Sequence, residues 1–203
     1  MFKDTYKFDD PDPYQGGAPS LSASFTKQNY TVQFLGPDDI PAFLKLQDKV
    51  LKSLPDEQKH FLKPRSEEDL VDHMGARMPV IGVKDNDGKL VAQCIIAYPR
   101  HADAVKNLEG YPINGAAPVT AIVQSLSVDP SHAGKGLSRM ILDTAKDVAA
   151  QAGLTQILSK VADANASSSR SFMNSAFEKA AAGLDPKKGY PVTYWQYSVF
   201  GPA

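Results

Sequence analysis

The chain has 203 residues, 42% of them hydrophobic and 22% charged, which suits one soluble globular domain with a sizeable core. Lys plus Arg number 22 against 23 Asp plus Glu, so no global field draws the chain to nucleic acid or to an anionic membrane surface. No apolar run approaches the roughly 20 residues that span a bilayer, and neither nucleic acid nor membrane is an expected partner. Met1-Phe2-Lys3-Asp4 is unlike a signal peptide and the single Cys94 cannot form an internal disulfide, so a reducing cytoplasm is the expected setting.

In chain order, residues 1–28 stand apart, with Asp9-Asp10-Pro11-Asp12-Pro13, Gly16-Gly17 and a Ser-rich run. Such composition reads as a flexible or loosely draped arm. Phe2, Tyr6, Phe8, Tyr14 and Phe25 also fit an arm packed on the body or on a partner subunit, which would make a homodimer. Residues 29–203 form the domain proper. Tyr30 to Leu35 alternates as a first strand, and Asp38-Asp39 open a helix carrying Ile40, Phe43, Leu44, Leu46, Val50 and Leu51. Ser66 with Glu67-Glu68-Asp69 is a cap and acidic first turn for a second helix through Met74. Pro79 to Val83 and Lys89 to Tyr98 are strands joined by Asp85-Asn86-Asp87-Gly88, a hairpin signal. A long connection, residues 99–118, carries His101, Asp103, Glu109 and Tyr111.

The next segment carries the most chemistry. Val119 to Val128 is apolar and β-branched, Asp129-Pro130 stops it, and His132-Ala133-Gly134-Lys135-Gly136 forms a small-residue turn. Leu137, Met140, Ile141, Ala145 and Val148 then recur at helical spacing. Strand, small-residue turn and helix in that order make an anion site. The first N–H groups of a helix lack intrahelical partners, the dipole favours negative charge there, and glycines allow close approach. The segment is not a P-loop, because Asp129 stands where the first glycine belongs and Gly136 follows Lys135. Nor is it a dinucleotide fingerprint, because no third glycine follows Gly136 at the required spacing. Beyond it come a strand from Thr155 to Val161, a helix opening near Ser167 to Ser169, and a last strand from Val192 to Phe200. The order implies an α/β sandwich with a mixed sheet.

Val128-Asp129-Pro130, Ala133-Gly134-Lys135-Gly136-Leu137-Ser138 and Ile141-Leu142 resemble the pyrophosphate loop of the GNAT superfamily of acyl-CoA N-acyltransferases. Ala133 replaces the usual Arg or Gln, and Ser138 a smaller residue. Asn165, Ser168, Ser171, Phe172, Ala176 and Phe177 fall at the spacings of a second segment of that family, and together the resemblance covers roughly residues 29–200. It implies a single domain with a mixed, mostly antiparallel central sheet flanked by helices. It also implies acetyl-CoA or another acyl-CoA as co-substrate. The backbone of Leu126, Ser127 and Val128 would hold the pantetheine arm, and Ala133, Gly134, Lys135, Gly136, Leu137 and Ser138 the pyrophosphate. Asn165 and Arg170 would complete the cofactor contacts.

The resemblance leaves the proton chemistry open. The family's base positions fall on Gln124 and Ile122 and its acid position on Phe172, and none of these titrates near neutral pH. Gln124 can orient water or the acceptor but cannot be the base. His101 and Glu109 are the candidate bases in the long connection, with Tyr111, Tyr190, Tyr194 and Tyr197 as further proton handlers. Positioning alone, with the carbonyl polarised by backbone N–H groups, is the other route. The four histidines show no metal spacing, so no metal is expected. Cys94, within an apolar strand, reads as a small buried hydrophobe. The expected function is acyl transfer, acetyl or another short group, to an amine of a small molecule or protein. A catalytically silent acyl-CoA sensor or interaction module is the alternative, and a plain phosphate- or nucleotide-binding α/β domain the third reading.

Overall fold

The computed structural model describes residues 26–27, 29–75, 78–98 and 120–201. His101, Glu109 and Tyr111, with nearly all of the N-terminal arm, lie outside the described residues. The strands are β1 (Thr26–Lys27), β2 (Tyr30–Phe34), β3 (Val80–Asp85), β4 (Leu90–Ala97), β5 (Thr120–Val128), β6 (Gln156–Ala162), β7 (Glu178–Leu184) and β8 (Pro191–Ser198). The helices are α1 (Ile40–Ser53), α2 (Glu67–Gly75), α3 (Leu137–Gln151) and α4 (Ala166–Asn174). One eight-stranded sheet runs β1-β2-β3-β4-β5-β6-β8-β7. Every neighbouring pair is antiparallel except β5 with β6.

Side-chain alternation along the central strands sends apolar residues to both faces, and each face is covered. On one face α3 lays Leu137, Ile141, Leu142, Ala145 and Val148 over Ile81, Val83, Cys94 and Ile96. On the other, α1 packs Ile40, Phe43 and Leu46, with Leu70 of α2, over Val80, Leu90 and Ile95. Cys94 is fully buried, and burial pushes its thiol far up, so it is an inert part of the core. No helix among the described residues is long and apolar enough to cross a membrane.

Three details differ from the sequence reading. A short 3-10 turn, Pro37–Asp39, precedes α1, and the Asp39 carboxylate accepts the Gly36 N–H at 3.0 Å and pairs with Lys84 at 2.8 Å instead of capping the helix. The cap of α4 is Asn165, whose side chain accepts the Ser168 N–H at 3.0 Å, and not one of the serines. β7, Glu-Lys-Ala-Ala-Ala-Gly-Leu, is a strand that the sequence reading leaves out. Its residues have little β propensity and are almost all exposed, and it forms only because β8 offers a row of hydrogen-bonding partners at the sheet edge.

Candidate active site

The central feature is a gap in the sheet. Among the described residues, β5 pairs with β6 at Thr120↔Gln156, Ala121↔Ile157 and Ile122↔Leu158 and not beyond Ile122. From Val123 to Val128 the strand has no partner on that side among the described residues, apart from Ser159 Oγ, which donates to the Val123 carbonyl at 3.2 Å. Ser127 and Val128 therefore have one edge committed to β4, Leu126 lies in a bulge beside them, and the other edge of all three faces the gap. An extended chain of amide groups can add to such an edge as a further strand would.

A bulge lies in the same stretch. Gln93 pairs with Ser127 and Ile95 with Gln124, so Cys94 stands opposite both Ser125 and Leu126, and Ser125 takes a left-handed φ of 53°. The extra residue breaks strand alternation, and the side chains of consecutive residues, Gln124 and Ser125, reach the same group. That group is Arg65. Its Nη2 donates to Gln124 Oε1, and its Nε to Ser125 Oγ at 3.2 Å. Gln47 of α1 fixes the Arg65 backbone from both sides, donating Nε2–H to its carbonyl at 3.0 Å and accepting its N–H at 2.7 Å. Arg65 is 9% exposed. Burial pushes its pKa down from the ordinary guanidinium value, and the nearby Asp69 charge offsets part of this. Sequence reasoning missed this residue, because an arginine before a helix cap carries no local signal of burial.

The turn after β5 supplies the second element. Asp129 is fully buried, with its carboxylate accepting from the Ser131 N–H and hydroxyl and from Lys49 of α1. Burial raises its pKa, but these hydrogen bonds and the Lys49 charge outweigh that and hold the carboxyl well below the usual range. Gly134 and Gly136 have φ of 76° and 78°, which side chains resist. A Cβ on Gly134 would meet nothing of the protein, so conformation and not crowding selects glycine there. The first helical hydrogen bond is Met140 N–H to the Gly136 carbonyl, at 3.1 Å. The N–H groups from Gly134 to Arg139 find no acceptor among the described residues, and they cluster at the start of a 15-residue helix. Lys135 and Arg170 are exposed on the loop and on α4.

The remaining predicted positions are placed as follows. Phe172 is buried, in edge contact with Phe177 at 5.0 Å and stacked on Trp195 at 6.3 Å. Trp195 and Tyr194 are likewise buried. Tyr190 meets the His60 ring at 4.5 Å, where the 3-10 turn Asp56–Phe61 lies against the turn before β8. Burial and the charge of Asp185 raise the Tyr190 pKa. Among the described residues, no group of three or more His, Cys, Asp or Glu side chains could hold a metal ion.

Known proteins share this architecture. YncA of Salmonella typhimurium, solved with its cofactor acetyl-CoA, superposes with a TM-score of 0.64 at 19% identity, over 86% of this chain and 96% of its own. The ribosomal-protein-S18-alanine N-acetyltransferase of Escherichia coli gives 0.60 at 17% identity, over 86% and 96%. A phosphinothricin acetyltransferase of Sinorhizobium meliloti, in complex with acetyl-CoA, gives 0.62 at 16%, over 84% and 88%. No curated protein sequence matches the chain. The family model of the acetyltransferase (GNAT) family matches residues 48–175, which takes in the bulged strand, the gap beside it and the glycine turn: the chain belongs to the GNAT acetyltransferase family.

Proposed function

We propose that this protein transfers an acetyl, or another short acyl, group from acyl-CoA to an amine of a small molecule or protein. The observation that carries the reading is the row of N–H groups from Gly134 to Arg139 that no described residue accepts, placed where β5 ends beside the gap. A pyrophosphate suits the first, because it brings the negative charge and acceptor oxygens that a helix start lacks. A pantetheine arm suits the second. Acyl-CoA supplies the activated thioester, and the neighbours solved with acetyl-CoA support that assignment.

In this reading Ala133, Gly134, Lys135, Gly136, Leu137 and Ser138 hold the pyrophosphate. Leu126, Ser127 and Val128 hold the arm, and Asn165 and Arg170 lie against the cofactor. Gln124, tied to Arg65, orients the acceptor or a water. An amine attacks only as the free base, so a proton must leave it. His101 and Glu109 are the groups proposed to accept that proton, directly or through water. The protein works in the cytoplasm, and a homodimer through the N-terminal arm is part of the same proposal.

Calorimetry with acetyl-CoA and a thiol-release assay over a broad amine panel test it. Gly134→Val and Gly136→Val each force a β-branched side chain into left-handed backbone, and at least a tenfold loss of acetyl-CoA affinity is expected. Unchanged affinity in both variants would remove the loop from the cofactor site. Acetyl-CoA binding with no thiol release from any amine would favour the silent sensor instead.

A further inference from the structure

The acceptor side of the site holds a buried cation that the described structure does not neutralise. Arg65 is 9% exposed, and no carboxylate among the described residues lies within 4.0 Å of its guanidinium. Asp69, the described acidic group whose charge acts on it, is committed elsewhere: it accepts the Ser66 N–H at 3.0 Å as half of the cap on α2. Both side-chain partners of Arg65, Gln124 and Ser125, are neutral. A charge taken out of water is ordinarily paired with an opposite one, and a guanidinium cannot escape by losing its proton.

The bonding pattern shows which part of the guanidinium is spare. Nε–H and the nearer Nη2–H lie along one edge of the planar group, and these are the donors that Ser125 and Gln124 take. The other edge, formed by the Nη1 protons and the second Nη2 proton, has no acceptor among the described residues. That edge presents two roughly parallel N–H groups, the arrangement that a carboxylate accepts in bidentate fashion. The Gln47 clamp on the Arg65 backbone and the two side-chain bonds fix the fork in advance, so little rotamer freedom remains to be lost on binding.

Position separates this cation from the cofactor phosphates. Each regular strand residue advances about 3.3 Å and the bulge absorbs one step, so Gln124 lies roughly 10 Å along β5 from its end at Val128, Ser125 somewhat less, and both are farther still from the glycine turn. They sit near the apex of the gap, where β5 leaves β6, which on the proposed reading is where an acyl group would meet its acceptor. We propose that Arg65 is a specificity residue that binds a carboxylate on the acceptor, so that the preferred acceptor is a free amino acid and not an uncharged amine or an internal peptide. This inference rests on the acyl-transfer reading of the same site.

The test uses acceptors that differ only at the carboxylate. The full-length protein with acetyl-CoA is offered a set of amino acids, each beside its primary amide, with thiol release and product mass as readouts. For the best pair, the acid is expected to show at least tenfold higher kcat/KM than the amide, with the difference in KM. Arg65→Gln should lower the acid's kcat/KM at least tenfold and the amide's by much less, with acetyl-CoA affinity within twofold. Arg65→Lys should restore part of the preference. A readout independent of turnover is thermal stabilisation, in the presence of CoA, by N-acetyl amino acids against N-acetyl amino acid amides. The acids alone should stabilise the wild type. An amide used as well as its acid, an equal loss on both in Arg65→Gln, or equal stabilisation by both product forms would each overturn the proposal. The wild-type comparison holds even if a variant fails to fold. Failure of the wild type to bind acetyl-CoA at all would overturn the acyl-transfer reading first and this one with it, and calorimetry with acetyl-CoA alone distinguishes the two.

Discussion

At the scale of single residues, Asp129 does the most to set the loop. It sits at 0% exposure between the end of β5 and the glycine turn, and Lys49, 45% exposed, reaches it at 2.6 Å from α1. Its folded pKa is depressed, so its contribution to stability is fully present above the unfolded value of about 3.9 and is lost as pH falls through the folded one. Asp129→Asn should cost about 1.5–3 kcal/mol at neutral pH, the range for hydrogen bonds to a charged group. In denaturant titrations that cost should shrink steadily below about pH 4, because the unfolded wild-type chain then takes up a proton that the folded carboxylate does not. A gap between the two proteins that stays constant down to pH 2 would contradict this account. Asn165 can be dissected in a similar way. Its side-chain oxygen caps α4, which leaves its amide protons for a cofactor. Asn165→Asp should keep the cap and the melting temperature while weakening acetyl-CoA binding several-fold, and Asn165→Ala should lose both, the cap being worth about 1 kcal/mol. Little of this was written in the chain. The glycines of the turn were legible because positive φ has a residue signature. Arg65 was not, because its burial depends on Gln47, Gln124 and Ser125, eighteen to sixty positions away.

Among the elements, those with internal logic were read almost to the residue. Helix α3 was expected from Leu137, and it begins there, because its apolar stripe and the glycines before it agree. Helix α2 has a reciprocal cap in which Ser66 Oγ accepts the Asp69 N–H at 3.0 Å and the Asp69 carboxylate accepts the Ser66 N–H at 3.0 Å. Ser66→Ala should therefore cost about 1 kcal/mol, seen as a drop of about 2–4 °C in melting temperature. Since Ser66 follows Arg65 directly, a fall in activity larger than this loss of stability would show that the cap also holds the arginine in register. β7 was missed because it has no pattern of its own. Alternation is a record of one face being buried, and an edge strand exposed along nearly its whole length keeps no such record. The bulge in β5 was invisible for a related reason. Ser125 is not a residue that advertises left-handed backbone, and only the pairing of β4 with β5 reveals it.

On the scale of the whole molecule, element order carried an α/β class with a mixed sheet and the family resemblance its mostly antiparallel form, while the gap between β5 and β6 is written in neither strand's sequence, since nothing there forbids full pairing. If acyl-CoA bridges that gap, it should stabilise the folded state by mass action. At a ligand concentration 100 times Kd this amounts to about 2.7 kcal/mol, or roughly 5–10 °C in a thermal scan. An increment below 2 °C at that ratio would mean that the folded protein does not bind the ligand with the assumed affinity. The gap has a mechanical meaning as well. It divides the sheet into two leaves, β1 to β5 and β6 to β8, joined among the described residues by the pairs at Thr120, Ala121 and Ile122. A fully laddered sheet resists shear along its whole length. This one is open along much of the seam, and α3, lying across the leaves from β4 and β5 to β6, holds them together. On the proposed reading, the angle between the leaves is also the width of the slot that receives the arm of acyl-CoA.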